Sequence, residues 1–179
     1  MTEQDEQDGP EMETVHLLRR VSMEFGLRQA EFAHRNGMHP TDVRALVCLL
    51  DAGRAGTPAT AGWLGARLGL NSAGTTALID RLEGLGHVTR TRDPHDRRRV
   101  LLTVDARAVE RGREFFGQPL ARMAGLLRTF DDRETAAVLR FLQEAHAALG
   151  GDRDRSAAQG RGPLGISAPA PPRPARGPR

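Results

Sequence analysis

Apolar residues recur at helical spacing over most of this chain. Val15, Leu18, Val21, Phe25 and Phe32 fall three to four residues apart, or a multiple of that, and predict a long first helix near 11–35. Pro40 and Asp42 open a second helix, whose Val43, Leu46, Val47 and Leu50 form a core stripe ending at Gly53. After the loop RAGTPA, Thr60 caps a short third helix carrying Leu64 and Leu68, and Gly69 turns the chain into a fourth, from about Ser72 to Leu85. Leu78, Leu82 and Leu85 face inward there, flanked by Ile79. The period then changes from helical to alternating. His87–Arg92 and Arg99–Val104 predict two strands joined by DPHDRR, with Asp93 and Pro94 as turn residues. Asp105 caps a fifth helix, about 106–129, with Val109, Phe116, Met123 and Phe130 on one line and Leu120 and Leu127 beside it. Pro119, lacking an N–H, predicts a kink. A sixth helix begins at Asp131 with a capping pair to Glu134 and carries Val138, Phe141, Leu142, Ala145 and Leu149.

Helices broken by one short hairpin make a mainly α fold with a small β wing. The order predicts a winged helix-turn-helix DNA-binding domain over 39–105 and a helical dimerisation region over 11–38 and 106–149. The terminal helices are more apolar than one small winged domain can hide, and a twofold homodimer interlocking them resolves the excess. The ends differ in kind. Residues 1–10 are acidic and polar, and the Pro, Gly and Arg-rich tail 150–179 ends in APAPPRPARGPR, so both are expected to be disordered. The tail reads as a solubilising appendage or as an electrostatic arm for DNA.

Charge sharpens this only locally. The net charge of +3 conceals an acidic start, with six acids in residues 1–13, and a tail of six arginines against Asp152 and Asp154. Every basic side chain is arginine. Between Arg90 and Arg99, five arginines face two aspartates, on a hairpin that directly follows the fourth helix. That helix opens with Asn71, Ser72, Ala73, Gly74, Thr75 and Thr76. Small residues admit a backbone close to base edges and hydroxyls can donate or accept, so this helix is the candidate reader of the major groove. The candidate DNA contacts are therefore Asn71 to Thr76, Arg81, and on the hairpin Arg90, Arg92, Asp96, Arg97, Arg98 and Arg99. Alternation along a strand would put Arg97 and Arg99 on one face and Arg98 on the other or at the bend. Asp96 can brace a neighbouring guanidinium by a bidentate salt bridge.

These segments resemble the MarR family of bacterial transcriptional regulators. The resemblance rests on LGARLGL at 64–70, the T-x-x-I-D-R-L-E pattern from Thr76 to Glu83, the Gly86-His87-Val88 turn and DPHDRRRV at 93–100, with MHPTDVRAL at 38–46 and FDDRETAAVLRFL at 130–142 in support. It covers roughly residues 13–149. It implies a homodimer on an inverted-repeat operator, with Arg98, paired to Asp96, in the minor groove. It also implies a small effector, often aromatic or phenolic, between dimer helices and winged domain. Candidate effector contacts are Phe25, His34, Met38, His39 and Trp63; Trp63 packs on the loop after the second helix or walls that pocket.

Other chemistries find less support in the residues. Six histidines raise a metal-responsive regulator, but they lack close pairing such as H-x-x-x-H, and no metal site is expected. Cys48, among apolar neighbours in VRALVCLL, reads as a packing residue, with a redox-responsive thiol as the rival. No phosphate loop, nucleophile elbow or paired carboxylates are present, so neither enzymatic activity nor a cofactor is expected. A winged helix used only for protein contacts would not need the arginine hairpin. With no apolar run near 18 residues, no membrane association is expected, and the expected location is the cytoplasm, on the nucleoid.

Overall fold

Most helix boundaries are set by a polar cap or a glycine placed to end the turn. The computed structural model describes residues 9–158, with side chains to Gly150. Helix α1 spans Pro10–Arg35, α2 Pro40–Arg54, α3 Ala61–Leu68 and α4 Ser72–Gly84; strands β1 Val88–Arg92 and β2 Val100–Val104 follow, then α5 Ala106–Leu127 and α6 Asp132–Ala158. His39 caps α2 through a reciprocal pair: its ring accepts from the Thr41 N–H, and Asp42 Oδ2 accepts from the His39 N–H at 2.9 Å. Thr60 Oγ1 accepts from Trp63 N, Asn71 Oδ1 from Gly74 N, and Asp105 Oδ1 from Arg107 N, which starts α3, α4 and α5 where the sequence places them. Gly69, at φ 68°, takes the left-handed conformation that joins α3 to α4. Asp131 and Glu134 exchange backbone and carboxylate bonds of 2.8 and 2.7 Å at the start of α6.

Four boundaries depart from expectation. Pro10 is the first residue of α1 and not part of an unstructured end, since its fixed φ suits a first helical position. Helix α6 runs through Gly150 and Gly151 to Ala158, because the following Arg153, Arg155, Ala157 and Ala158 are strong helix formers. The remaining expected disorder, at 1–8 and 159–179, lies outside the described residues. Helix α5 continues through Pro119 but stops at Leu127, so Phe130 sits in the turn to α6 and not on the α5 line. Strand β2 starts at Val100, which leaves Arg99 in the hairpin turn.

The core lies between α2, α3, α4 and the hairpin. Val43, Ala45, Leu46 and Leu49 of α2 meet Leu64 of α3 and Leu78, Ile79 and Leu82 of α4, and Val88 and Leu102 close it from the two strands. Burying each of the larger side chains contributes roughly 1.5–3 kcal/mol. The antiparallel register pairs Val88 with Val104 and Arg90 with Leu102. Leu102 N donates to Ala59 O at 2.8 Å, fastening β2 to the loop after α2. Cys48, half-buried, packs against this core, and burial pushes its thiol pKa up, as a packing residue requires. Trp63 also packs on it.

The long helices bury few of their own residues. Helix α1 buries only Phe32 and Ala33, where Phe32 meets Phe115 and Phe116 of α5 at ring-centroid distances of 5.3 Å each. Helix α6 lies against α3, with Arg67 Nη2 3.1 Å from His146 Nε2.

Candidate nucleic-acid interface

Helix α4 divides its small opening residues between two faces. Thr75 is buried, its hydroxyl donating to Asn71 O at 2.9 Å, and it sits where Gly65 of α3 leaves room for it. A Cβ on Gly65 would come within 2.4 Å of Thr75 Oγ1, so the glycine lets the two helices of the turn close together. Thr75 is therefore a packing residue and not a candidate DNA contact. Ser72, Ala73 and Thr76 are exposed, Gly74 is half-buried, and the Asn71 side chain is occupied as the helix cap. The open face of α4 is Ser72, Ala73 and Thr76, continuing at helical spacing into Asp80 and Glu83.

Arg81 is turned away from that face. It grips Asp42 with two nitrogens, Nε at 3.2 and 3.1 Å from the two carboxylate oxygens and Nη2 at 2.5 Å from Oδ1. The Asp42 carboxylate is 1% exposed and also accepts from the start of α2. An aspartate that was legible only as a helix opener thus fixes α4 against α2, with Arg81, an expected DNA contact, as its partner. Arg90, also an expected DNA contact, is engaged likewise. Its guanidinium spans Asp80 and Glu83 of α4, because β1 runs beside that helix and the two acids are one turn apart on the side facing the strand.

The wing tip is built by its aspartates. Asp93, buried, accepts from His95 N at 2.8 Å, which holds its carboxyl below the ordinary value, and lies 3.7 Å from Arg99 Nη1. Asp96 Oδ1 accepts from the backbone N–H of Arg98 at 3.0 Å, and Asp96 O from Arg99 N at 2.9 Å. Asp96 therefore shapes the turn through the main chain and does not brace the Arg98 guanidinium. Arg97 and Arg98 occupy the turn itself, so the expected alternation between strand faces does not apply to them. Among the described residues, Arg92, Arg97 and Arg98 enter no ion pair, and all three are exposed. They are the positive charge the hairpin offers outward.

The candidate effector residues are not gathered in one place. A cleft of about 520 Å³ opens between α1, α2 and α5, lined by Phe25, Phe32, Leu46, Phe116 and Leu120 among others. Of the five, only Phe25 lines it. Met38 is buried in the core, His34 is exposed at the end of α1, and Trp63 packs on the core. His39 borders a separate depression with Asp42 and Arg81. The reason is geometric: α1 ends at Arg35, and its last turn carries His34 away from Phe25. Among the described residues, no three His, Cys, Asp or Glu side chains come together as a metal site requires, and no helix is long and apolar enough to cross a membrane.

Comparison with known proteins bears on this geometry. The MarR family model matches residues 36–99, from the end of α1 to the wing. A Bacillus subtilis protein described as an uncharacterized HTH-type transcriptional regulator, YcgE, is 34% identical over 136 residues, spanning 75% of this chain and 85% of its own. The solved structure of a MarR family protein from Bacillus stearothermophilus is 27% identical with a TM-score of 0.56, covering 83% of this chain and 98% of that one. A mutant of MepR from S. aureus shares the fold at a TM-score of 0.62 and 15% identity, over 76% and 96% of the two chains.

Proposed function

This chain belongs to the MarR family of transcriptional regulators, and from that premise we propose that it is a repressor that binds an inverted-repeat operator on double-stranded DNA as a homodimer. One observation carries the proposal. Helix α4 exposes Ser72, Ala73 and Thr76, its Asp80 and Glu83 are bonded to Arg90 of the hairpin, and the same hairpin carries Arg92, Arg97 and Arg98 outside every ion pair among the described residues. A narrow helix enters the major groove while arginines meet phosphates or an A·T-rich minor groove, where negative potential is concentrated. Such a protein works in the cytoplasm, on the nucleoid.

Dimerisation is supported by what the long helices leave in water. Leu17, Met23 and Leu27 of α1, Leu126 of α5 and Leu139 of α6 are each about half exposed or more. A monomer that kept these faces bare would carry an apolar surface larger than soluble chains tolerate. Two copies related by a twofold axis would set their α4 helices in successive major grooves, about 34–36 Å apart.

The cleft between α1, α2 and α5 supports a small aromatic effector. Phe25, Phe32 and Phe116 supply its apolar wall, and Arg113 and Arg54 stand at its edge for a phenolate or carboxylate. A ligand that fits better when α1 and α5 separate from α2 would reposition the winged domain and release DNA. Gly112 lines the cleft with nothing within 4 Å of a Cβ built there, so Gly112→Leu should fill it. Equilibrium dialysis against a panel of small phenols should show binding that this variant loses.

Selection of duplexes from a random library tests the main proposal, and Thr76→Leu should abolish sequence preference with helical content unchanged. Preference that survives Thr76→Leu would assign reading to another face.

A further inference from the structure

The outward face of α4 is polar and small for its first turns and then acidic. Asp80 is 57% and Glu83 41% exposed at its side chain, and two carboxylates on a DNA-facing helix would repel the phosphates it must approach. Arg90 answers both. It stands on β1 opposite Leu102, at 31% side-chain exposure, with Nη2 2.5 Å from Asp80 Oδ1 and Nη1 bonded to Glu83 Oε2. One planar guanidinium thus joins the strand of the wing to two consecutive turns of the helix.

We propose that Arg90 is a positioning residue for operator recognition: it makes no DNA contact, but shields the carboxylates of Asp80 and Glu83 and fixes the angle between α4 and the wing. This rests on the DNA-reading function proposed above and adds a determinant of its specificity. The helix is held from two sides. Arg81 ties its inner face to Asp42 at the start of α2, and Arg90 ties its outer face to β1. With both ties, a helix in the major groove and a wing tip at the adjacent backbone are presented as one rigid pair, so a base contact and a wing contact are made at the same register. Without the outer tie, the wing can pivot relative to α4, and the two contacts no longer favour the same sequence.

A phosphate contact and a positioning contact respond differently to substitution. Loss of a phosphate contact weakens binding about equally on all sequences, whereas loss of positioning removes the preference for the operator. Arg90→Lys keeps the charge but cannot span two carboxylates, because an ammonium lacks the planar fork. The expected result is a fall of about tenfold in the ratio of operator to scrambled-duplex affinity, the size of one mismatched base pair, with affinity for the scrambled duplex within about twofold of wild type. Asp80→Asn with Glu83→Gln severs the same tie from the helix side, on exposed residues whose replacement spares the core. It should lower the ratio too, while scrambled-duplex affinity rises with the loss of two negative charges. The proposal is overturned if Arg90→Lys leaves the ratio unchanged or if both affinities fall together. Tighter and equally selective operator binding by the Asp80 and Glu83 variant would also overturn it, because freeing Arg90 would then have released a phosphate ligand. A wild-type protein that does not distinguish operator from scrambled duplex rejects the DNA-reading function itself, and this result is separate from any behaviour of the variants.

Discussion

His87 is buried beneath the wing, with its Nδ1 3.1 Å from Arg111 Nη2 of α5. A guanidinium only donates, so Nδ1 is the acceptor and the ring is neutral. Burial lowers the His87 pKa below its ordinary 6.5, and the Arg111 charge lowers it further, against the opposing pull of Asp42 and Asp105. The unfolded chain therefore takes up a proton before the folded one does, and stability, full above about pH 6.5, declines as pH falls through that value toward the folded pKa. Urea unfolding from pH 7.5 to 5 should show this slope, and His87→Gln should flatten it. Gly65 gives a second prediction at this scale. Gly65→Ala places a methyl 2.4 Å from Thr75 Oγ1 and should cost about 1–3 kcal/mol, recovered in part by Thr75→Ala. Thermal denaturation of the single and double variants checks it. Neither contact was legible in the sequence. Periodicity marks Gly65 as part of a helix and Thr75 as polar, but which neighbour approaches a missing Cβ depends on the packing of two helices.

Elements were legible wherever a local signal decides them. Thr60 and Asp105 cap their helices as expected, because a cap is a contact between residues two or three apart. The wing was legible as a hairpin but not in its detail. Five arginines read as one positive patch, yet Arg90 and Arg99 are held by carboxylates, two of them on α4, so the patch shrinks to Arg92, Arg97 and Arg98. Asp96 likewise acts on the turn backbone and not on a guanidinium. Two variants separate these roles. Asp96→Ala should weaken operator binding although it removes a negative charge near DNA, since the turn presenting Arg98 loses its bond. Asp96→Asn keeps the acceptor oxygen and should bind at least as tightly as wild type. Arg98→Ala should cost about 1–3 kcal/mol and lower the slope of log affinity against log salt by about one per wing. Operator titrations at two salt concentrations read all three.

For the whole molecule, the apolar pattern of the terminal helices carried more information than net charge. At +3 the chain does not announce a nucleic-acid ligand, whereas Leu17, Met23 and Leu126 stand on open faces, the observation behind the proposed dimer. The contact of α6 with α3 was not legible, because residues 61–68 and 132–158 are far apart in sequence and share no local signal. The lining of the cleft was not legible for a similar reason: it comes from α1, α2 and α5, and only Phe25 of the expected effector residues faces it. Sedimentation at micromolar protein should give a dimer, and a well-folded monomer there would contradict the twofold arrangement. The central claim is that α4 and the wing of two copies read one face of a duplex. Selection of binding sites by the full chain from a random duplex library tests it most directly. The account predicts an enriched inverted repeat with half-site centres about 10–10.5 base pairs apart. Recovery of unrelated sequences with no repeat, bound no better than the starting pool, would contradict it.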